Sequence, residues 1–343
     1  MWERHRFVDV TAVFLCCILL NPLLSNALMH VCYYAGPQPE LKIDDLEPDL
    51  CTHIILGFGR VKNDVLDLEA LGGLEAVRDF ARLRDRNQGV RLMLSVGGDS
   101  GFRRMVTTPS SIARFAKSVV TTVRSLDMDG IDLDWEFPGY AQSRKLTLLL
   151  TSLNAAFKNE SLETGRDKLI LSVAVPAPVT LIAGIYDVVS MAEHADFVNL
   201  MTYDMNLYKW YTPYTGHNSP LFGRQSDAHY FKTLNMKFAA EYWTSAGMPK
   251  SKLMVGIPTY GLIWKLSNPN QTNVGAFSTG RGEHGGGYIT YEQMCMFLDD
   301  GAQRVFDDES KVPYAFKNYT WISYDDEESV ALKWESDIRR NVK

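Results

Sequence analysis

The sequence predicts an α/β fold: a (β/α)8 TIM-type barrel lacking its eighth strand, with a small α+β insertion after strand 7. Three observations carry this prediction. Seven short β-rich apolar runs recur along the chain, at Val31 to Ala35, His53 to Gly59, Arg91 to Gly97, Gly130 to Glu136, Leu169 to Val175, Phe197 to Tyr203 and Lys252 to Pro258. Most of the gaps between them carry helical periodicity, and strand–helix alternation repeated this often favours a parallel barrel over a doubly wound sheet. After Pro258 the alternation stops and no eighth run follows.

Composition is consistent with a packed enzyme-sized domain. A hydrophobic fraction of 46% with 22% charged residues excludes a disordered chain. A net charge of -6 without any basic face argues against nucleic acid as a partner.

Taken in order, the N-terminus combines Arg4 and Arg6, an apolar run from Thr11 to Leu20, Pro22 and the small residues Ser25-Asn26-Ala27. Residues 1–27 therefore read as a secretory signal peptide, which predicts a secreted, extracellular chain with no membrane attachment after cleavage. Asn21 and Pro22 interrupt the run well short of the roughly 20 residues a membrane span needs. Residues 28–263 and 325–343 are assigned to the barrel and 264–324 to the insertion.

The clearest helix is Pro109 to Met128. Ile112, Phe115, Ala116, Val119, Val120, Val123 and Leu126 fall on one face, and Thr108 before Pro109 supplies a cap and a first-turn proline. A second helix is read at Arg144 to Lys158, and a last one at Glu327 to Val342. The insertion, rich in Gly, Asn, Thr and aromatics, offers strand-like pieces near Gly287 to Tyr291 and Tyr319 to Ser323.

Loss of the leader would leave Cys32, Cys51 and Cys295. In an oxidising compartment Cys32 and Cys51 can close a short loop worth about 3 kcal/mol, which leaves Cys295 without an evident partner. Asn159, Asn270 and Asn318 head glycosylation sequons.

The chemistry concentrates in Asp129-Gly130-Ile131-Asp132-Leu133-Asp134-Trp135-Glu136. Side chains alternate along a strand, so Asp132, Asp134 and Glu136 share one face and Ile131, Leu133 and Trp135 the other. The helix-facing side of a parallel barrel is apolar, which directs the acids inward. Same-face neighbours stand about 7 Å apart, and their repulsion together with burial raises at least one carboxyl pKa, as a general acid requires. Glu136 lies at the C-terminal end of its strand, where barrel active sites form, with Asp134 and Asp132 successively deeper. An edge strand with its acids in water and a carboxylate metal site are the competing readings. Surrounding βα units oppose the first, and the lack of HExxH or a calcium-loop spacing opposes the second, so neither metal nor cofactor is expected.

This segment resembles the DGxDxDWE signature of glycoside hydrolase family 18, the chitinases and chitinase-like lectins. Further motifs are similar in order: Val31-Cys32-Tyr33-Tyr34, Cys51-Thr52-His53-Ile54, Ser95-Val96-Gly97-Gly98, Asn199-Leu200-Met201-Thr202-Tyr203-Asp204, Gly216-His217-Asn218-Ser219-Pro220-Leu221 and Gly256-Ile257-Pro258-Thr259-Tyr260-Gly261. The resemblance implies a secreted, monomeric, endo-acting glycosidase that binds chitin or chito-oligosaccharides. It would cleave β-1,4-linked N-acetylglucosamine polymers with retention, the substrate's acetamido oxygen serving as nucleophile.

By the same resemblance Glu136 is the proton donor, Asp134 orients the acetamido group, and Asp132 shares a proton with Asp134. Tyr203 donates to the acetamido oxygen, Asp204 helps hold the sugar, and Met201 is a candidate floor. Gly97, Gly98, Tyr34, Phe58, Trp210 and Tyr260 complete the expected substrate-binding set, with Met201, Phe58 and Tyr260 equally readable as packing residues. The chain departs from the family pattern where Asp99 replaces a common Trp, where Leu262 replaces a common Arg, and in lacking the eighth strand with its Trp and the usual partner of Cys295. A catalytically weak or inactive glycan-binding protein is the alternative these departures imply.

Overall fold

The computed structural model describes residues 29–36, 41–282 and 285–335. The expected signal peptide, and the last helix beyond residue 335, lie outside the described residues.

Seven strands run parallel in one sheet. In spatial order they are β1 (Val31–Tyr34), β2 (His53–Lys62), β4 (Arg91–Gly98), β5 (Gly130–Trp135), β6 (Ile170–Pro176), β7 (Phe197–Met201) and β8 (Leu253–Val255), with β3 (Val65–Asp67) a hairpin extension of β2. The sheet curls into a nearly closed barrel whose two described ends are β1 and β8. Helices cover its outside. The helix Pro109–Ser125 begins where Thr108 accepts a hydrogen bond from the Ser111 amide at 3.1 Å, and it buries Ile112, Phe115, Ala116, Val119 and Val123. The helix Ser143–Thr164 ends at Gly165, whose φ of 69° supplies the left-handed turn that stops it.

Strand parity sorts the barrel into two shells. Outward residues such as Ile54, Leu56, Leu92, Leu94, Ile131, Leu133 and Val198 join the helices in the main core. Inward residues form layers: Ile55, Met93 and Phe197 pack at the bottom, a polar tier lies above them, and the acids reach the mouth. One outer shell is apolar because helices exclude water there; the inner shell can be polar only where every group finds a partner.

A second sheet is antiparallel, in the order β10 (Ser278–Arg281), β9 (Tyr260–Leu266), β14 (Thr320–Ser323), β13 (Val312–Lys317) and β12 (Gln303–Asp307), with β11 (Tyr288–Thr290) also pairing with β9. One face packs Trp264, Leu266, Tyr314 and Trp321. The other packs Ile263, Ala315 and Ile322 against Met294 of the helix Tyr291–Asp299. This sheet starts at Tyr260, earlier than the Trp264 expected from composition. Cys32 and Cys51 form a disulfide and Cys295 is an exposed free thiol.

Candidate active site

Asp132 occupies the polar tier and is fully buried. Its Oδ2 accepts hydrogen bonds from the Tyr33 hydroxyl at 2.9 Å and Ser95 Oγ at 2.8 Å, and its Oδ1 from Ser172 Oγ at 2.6 Å and Asn199 Nδ2 at 3.2 Å. Asn199 Nδ2 also donates to the Tyr33 hydroxyl oxygen at 2.8 Å. Burial pushes the Asp132 pKa up and these donors oppose the rise. Strands β1, β4, β6 and β7 each contribute one partner, so this carboxyl ties the barrel interior together.

Asp134 sits one layer higher with a different environment. Its Oδ1 is buried without a hydrogen-bond partner. Burial, followed by the charges of Glu136 and Asp132, raises its pKa to about 8, with Arg60 acting in the opposite sense. A carboxyl this close to neutrality holds a proton it can lend as a hydrogen bond.

Glu136 follows the last residue of β5 and opens onto the cleft. Its amide donates to the Gly98 carbonyl at 3.1 Å, which ties the rim to β4. Burial and then the nearby Asp204 raise its pKa. Arg103 secures the loop beyond it, donating to the Phe137 carbonyl at 3.0 Å and to Gln142 Oε1 at 3.1 Å. Asp99 joins the same brace, accepting from Arg103 Nε at 2.7 Å and Trp135 Nε1 at 2.9 Å. In place of a stacking face, Asp99 therefore supplies an anchor for the outer wall.

Tyr203 and Asp204 follow β7. Asp204 has a φ of 56°, a left-handed conformation that Asp tolerates better than most residues. Its amide donates to Asn218 Oδ1 at 2.8 Å, and its Oδ1 accepts from the Tyr260 hydroxyl at 2.8 Å. Burial raises the Asp204 pKa against the pull of Tyr260. Burial and then the surrounding carboxylates, Asp134 and Glu136 first, raise the Tyr203 pKa, so its phenol stays a donor.

These groups border a cleft of about 990 Å³. Phe58, Asp134, Glu136, Met201, Tyr203 and Asp204 line it, together with the aromatics Tyr211, Tyr214, Tyr230 and Phe231. That volume lies in the range of ligand-binding clefts, and flat aromatic walls suit the apolar faces of sugar rings. His217 also faces the cleft, with Nε2 2.8 Å from Asp307 Oδ2. Burial pushes the Asp307 pKa up, but His217 and Arg224 bring it down to about 2.

Five expected residues are placed differently. Tyr34 does not reach the cleft: it is buried among the helices, its ring 6.4 Å from that of Phe80 and its hydroxyl donating to the Leu41 carbonyl at 3.0 Å. Register explains this, because Tyr34 pairs with outward-facing Leu56, whereas Tyr33 pairs with inward-facing Ile55. Trp210 is 82% exposed and stands against Tyr211, which lines the cleft instead. Tyr260 is not among the cleft-lining residues and instead donates its hydroxyl to Asp204. Gly97 and Gly98 make room: a Cβ on Gly97 would lie 3.1 Å from the Phe58 ring. Leu262 is buried in the core of the second sheet.

Tyr33, Ser95, Ser172 and Asn199 are the residues that sequence reasoning missed. Parity offers a signal for them, since each lies on the inward face of its strand. Nothing local distinguishes their hydroxyls and amide from ordinary polar residues.

A parallel barrel with catalytic-type acids at its mouth and an antiparallel sheet inserted after the seventh strand defines a class. Residues 29–341 match Glycosyl hydrolases family 18, and the chain belongs to that family. It is 35% identical over 303 residues to chitotriosidase-1 of Mus musculus, a stretch covering 84% of this chain and 64% of that protein, so it spans less than two-thirds of that relative's length. Among solved structures, an immunomodulatory active chitinase from Trichuris suis superposes with a TM-score of 0.87 at 32% identity, covering 91% of this chain and 89% of that one. Human YKL-39, described as a pseudo-chitinase with retained chitooligosaccharide binding properties, superposes with a TM-score of 0.86 at 29% identity and the same coverages.

Proposed function

We propose that the protein is a retaining chitinase that hydrolyses β-1,4-linked N-acetylglucosamine polymers with the help of the substrate's own acetamido group. The observation that carries this reading is the ascending series Asp132, Asp134, Glu136, in which a buried carboxyl held by four donors lies below a proton-holding one and both lie below an acid open to the cleft. Glu136 protonates the glycosidic oxygen as the bond to the anomeric carbon breaks, while the acetamido oxygen attacks that carbon. Asp134 passes its proton to Asp132, accepts the acetamido N–H and offsets the developing positive charge, and Tyr203 donates to the acetamido oxygen. Glu136, now ionised, removes a proton from the water that opens the intermediate, so the anomeric configuration is retained.

The test is release of fluorophore from a chitobioside by wild type and Glu136→Gln. Wild type should be faster by about a hundredfold or more; equal rates would overturn the assignment. Activity should also fall on the alkaline side as Glu136 deprotonates, and a flat profile into alkaline pH would contradict its role as acid.

A second reading, a glycan-holding protein of weak or no turnover, draws on the likeness to YKL-39 and on Leu262, whose apolar side chain, buried in the second sheet, offers no polar contact to substrate. Retention on chitin beads without product release would select it. The Cys32–Cys51 disulfide and the exposed positions of Asn159, Asn270 and Asn318 support an extracellular setting. Among the described residues no helix is long and apolar enough to cross a membrane.

A further inference from the structure

Register along β2 shifts between Leu56 and Gly59. Beyond the shift, Phe58 covers Gly97 and Arg60 reaches the end of β4. Gly98 has a φ of 110°, and a Cβ there would lie 3.1 Å from Arg60 Nη1, so the guanidinium rests against that strand end. On the far side of β4, Gly97 pairs with Asp134 and the Gly98 carbonyl accepts the Glu136 amide. Arg60 thus stands at the barrel rim on the β2 side of the acids, whereas the aromatic-walled cleft extends toward β7.

Nearby charges are already engaged. Asp99 is held by Arg103, and Lys62 donates to Glu69 at 2.8 Å. Arg60 is exposed, and while its backbone pairs opposite Asp67 in the β2–β3 ladder, its side chain makes no hydrogen bond or ion pair with any described residue. The charge of its guanidinium is felt at Asp134. The cleft itself is bordered by the acids Asp134, Glu136, Asp204 and Asp227 and by Lys209 and Arg224, and any of those acids that ionises would draw in a cationic sugar. In a chitin chain the sugars that carry a positive charge are deacetylated: a glucosamine ammonium replaces the neutral acetamide.

We propose that Arg60 is a specificity-determining residue that repels glucosamine ammonium groups from the sugar position above the end of β4, restricting that position to acetylated units. This rests on the chitinase reading of the cleft and deepens it. Like charges a few ångströms apart at a protein surface repel appreciably, and salt weakens the effect.

Calorimetric titration of the Glu136→Gln protein, which should bind without turnover, tests the proposal with three ligands: the fully acetylated tetramer and two tetramers bearing one glucosamine at either end. One of the two deacetylated tetramers should bind about five- to tenfold more weakly than the acetylated one. Adding Arg60→Gln should remove that penalty and leave the acetylated affinity within about twofold, Arg60→Lys should preserve it, and raising salt should shrink it. A ratio unchanged by Arg60→Gln, with the acetylated tetramer still bound, overturns the inference alone. Failure of every tetramer to bind overturns the reading of the cleft, and this inference with it.

Discussion

Asp132 and Glu136 come from the same face of the same strand, four residues apart, and experience opposite surroundings. The lower carboxyl meets donors from four other strands and no solvent; the upper one meets an open cleft and a neighbouring acid. Depth, rather than residue type, separates their duties. At the bottom a carboxyl is an organising ligand for the barrel, and at the top it is a group free to exchange a proton. Asp134 between them has features of both, being buried like Asp132 and lining the cleft like Glu136, with its Oδ1 left without a hydrogen-bond partner.

That contrast can be broken most sharply at its upper end. Glu136→Gln should lower turnover of a chitobioside by about a thousandfold while changing the urea midpoint little, because an open carboxyl contributes to chemistry and not to packing. Asp132→Ala should do the reverse in emphasis. It strands the hydroxyls of Tyr33, Ser95 and Ser172 and the Asn199 amide, and should cost about 3 kcal/mol in urea unfolding. A stable Asp132→Ala protein would show that the polar tier is not a structural unit.

Asp134 sharpens the comparison through pH. Its folded pKa of about 8 lies above the ordinary carboxyl value, so its contribution to stability is full below about pH 4 and is lost as pH rises through about 8. Asp134→Asn removes this dependence, and its unfolding free energy should change less than that of wild type between about pH 5 and pH 8. Parallel curves would mean that Asp134 is not the group being titrated. The smallest effect is expected from Tyr260→Phe, which takes one donor from Asp204: stability should fall by about 1 kcal/mol. Binding of a chito-oligosaccharide should weaken severalfold, and unchanged binding would remove Tyr260 from the positioning of Asp204.

The two sheets differ as much as the two carboxylates, in how far the sequence discloses them. Each parallel strand announces itself as an apolar run, since both its faces are covered, and all seven were legible that way. In the second sheet only the pieces near β11 and β14 stand out. β12, Gln303–Asp307, is partly or fully exposed along its length and reads as loop. β9 pairs with β14 across more than fifty residues of chain, with Trp321 opposite Trp264, a partnership that no local pattern contains.

What the sequence by itself determined is that Asp132, Asp134 and Glu136 share one face, because alternation along a strand is a property of covalent geometry and needs no partner to be true. The tertiary structure alone decided which tyrosine meets that series. Tyr33 and Tyr34 are adjacent and chemically identical, and only the register of β1 against β2 sends one into the barrel and the other among the helices. It decided likewise that Asp132 would be surrounded by Ser95, Ser172 and Asn199, since those partners converge through strand pairing over long separations, which local sequence does not encode.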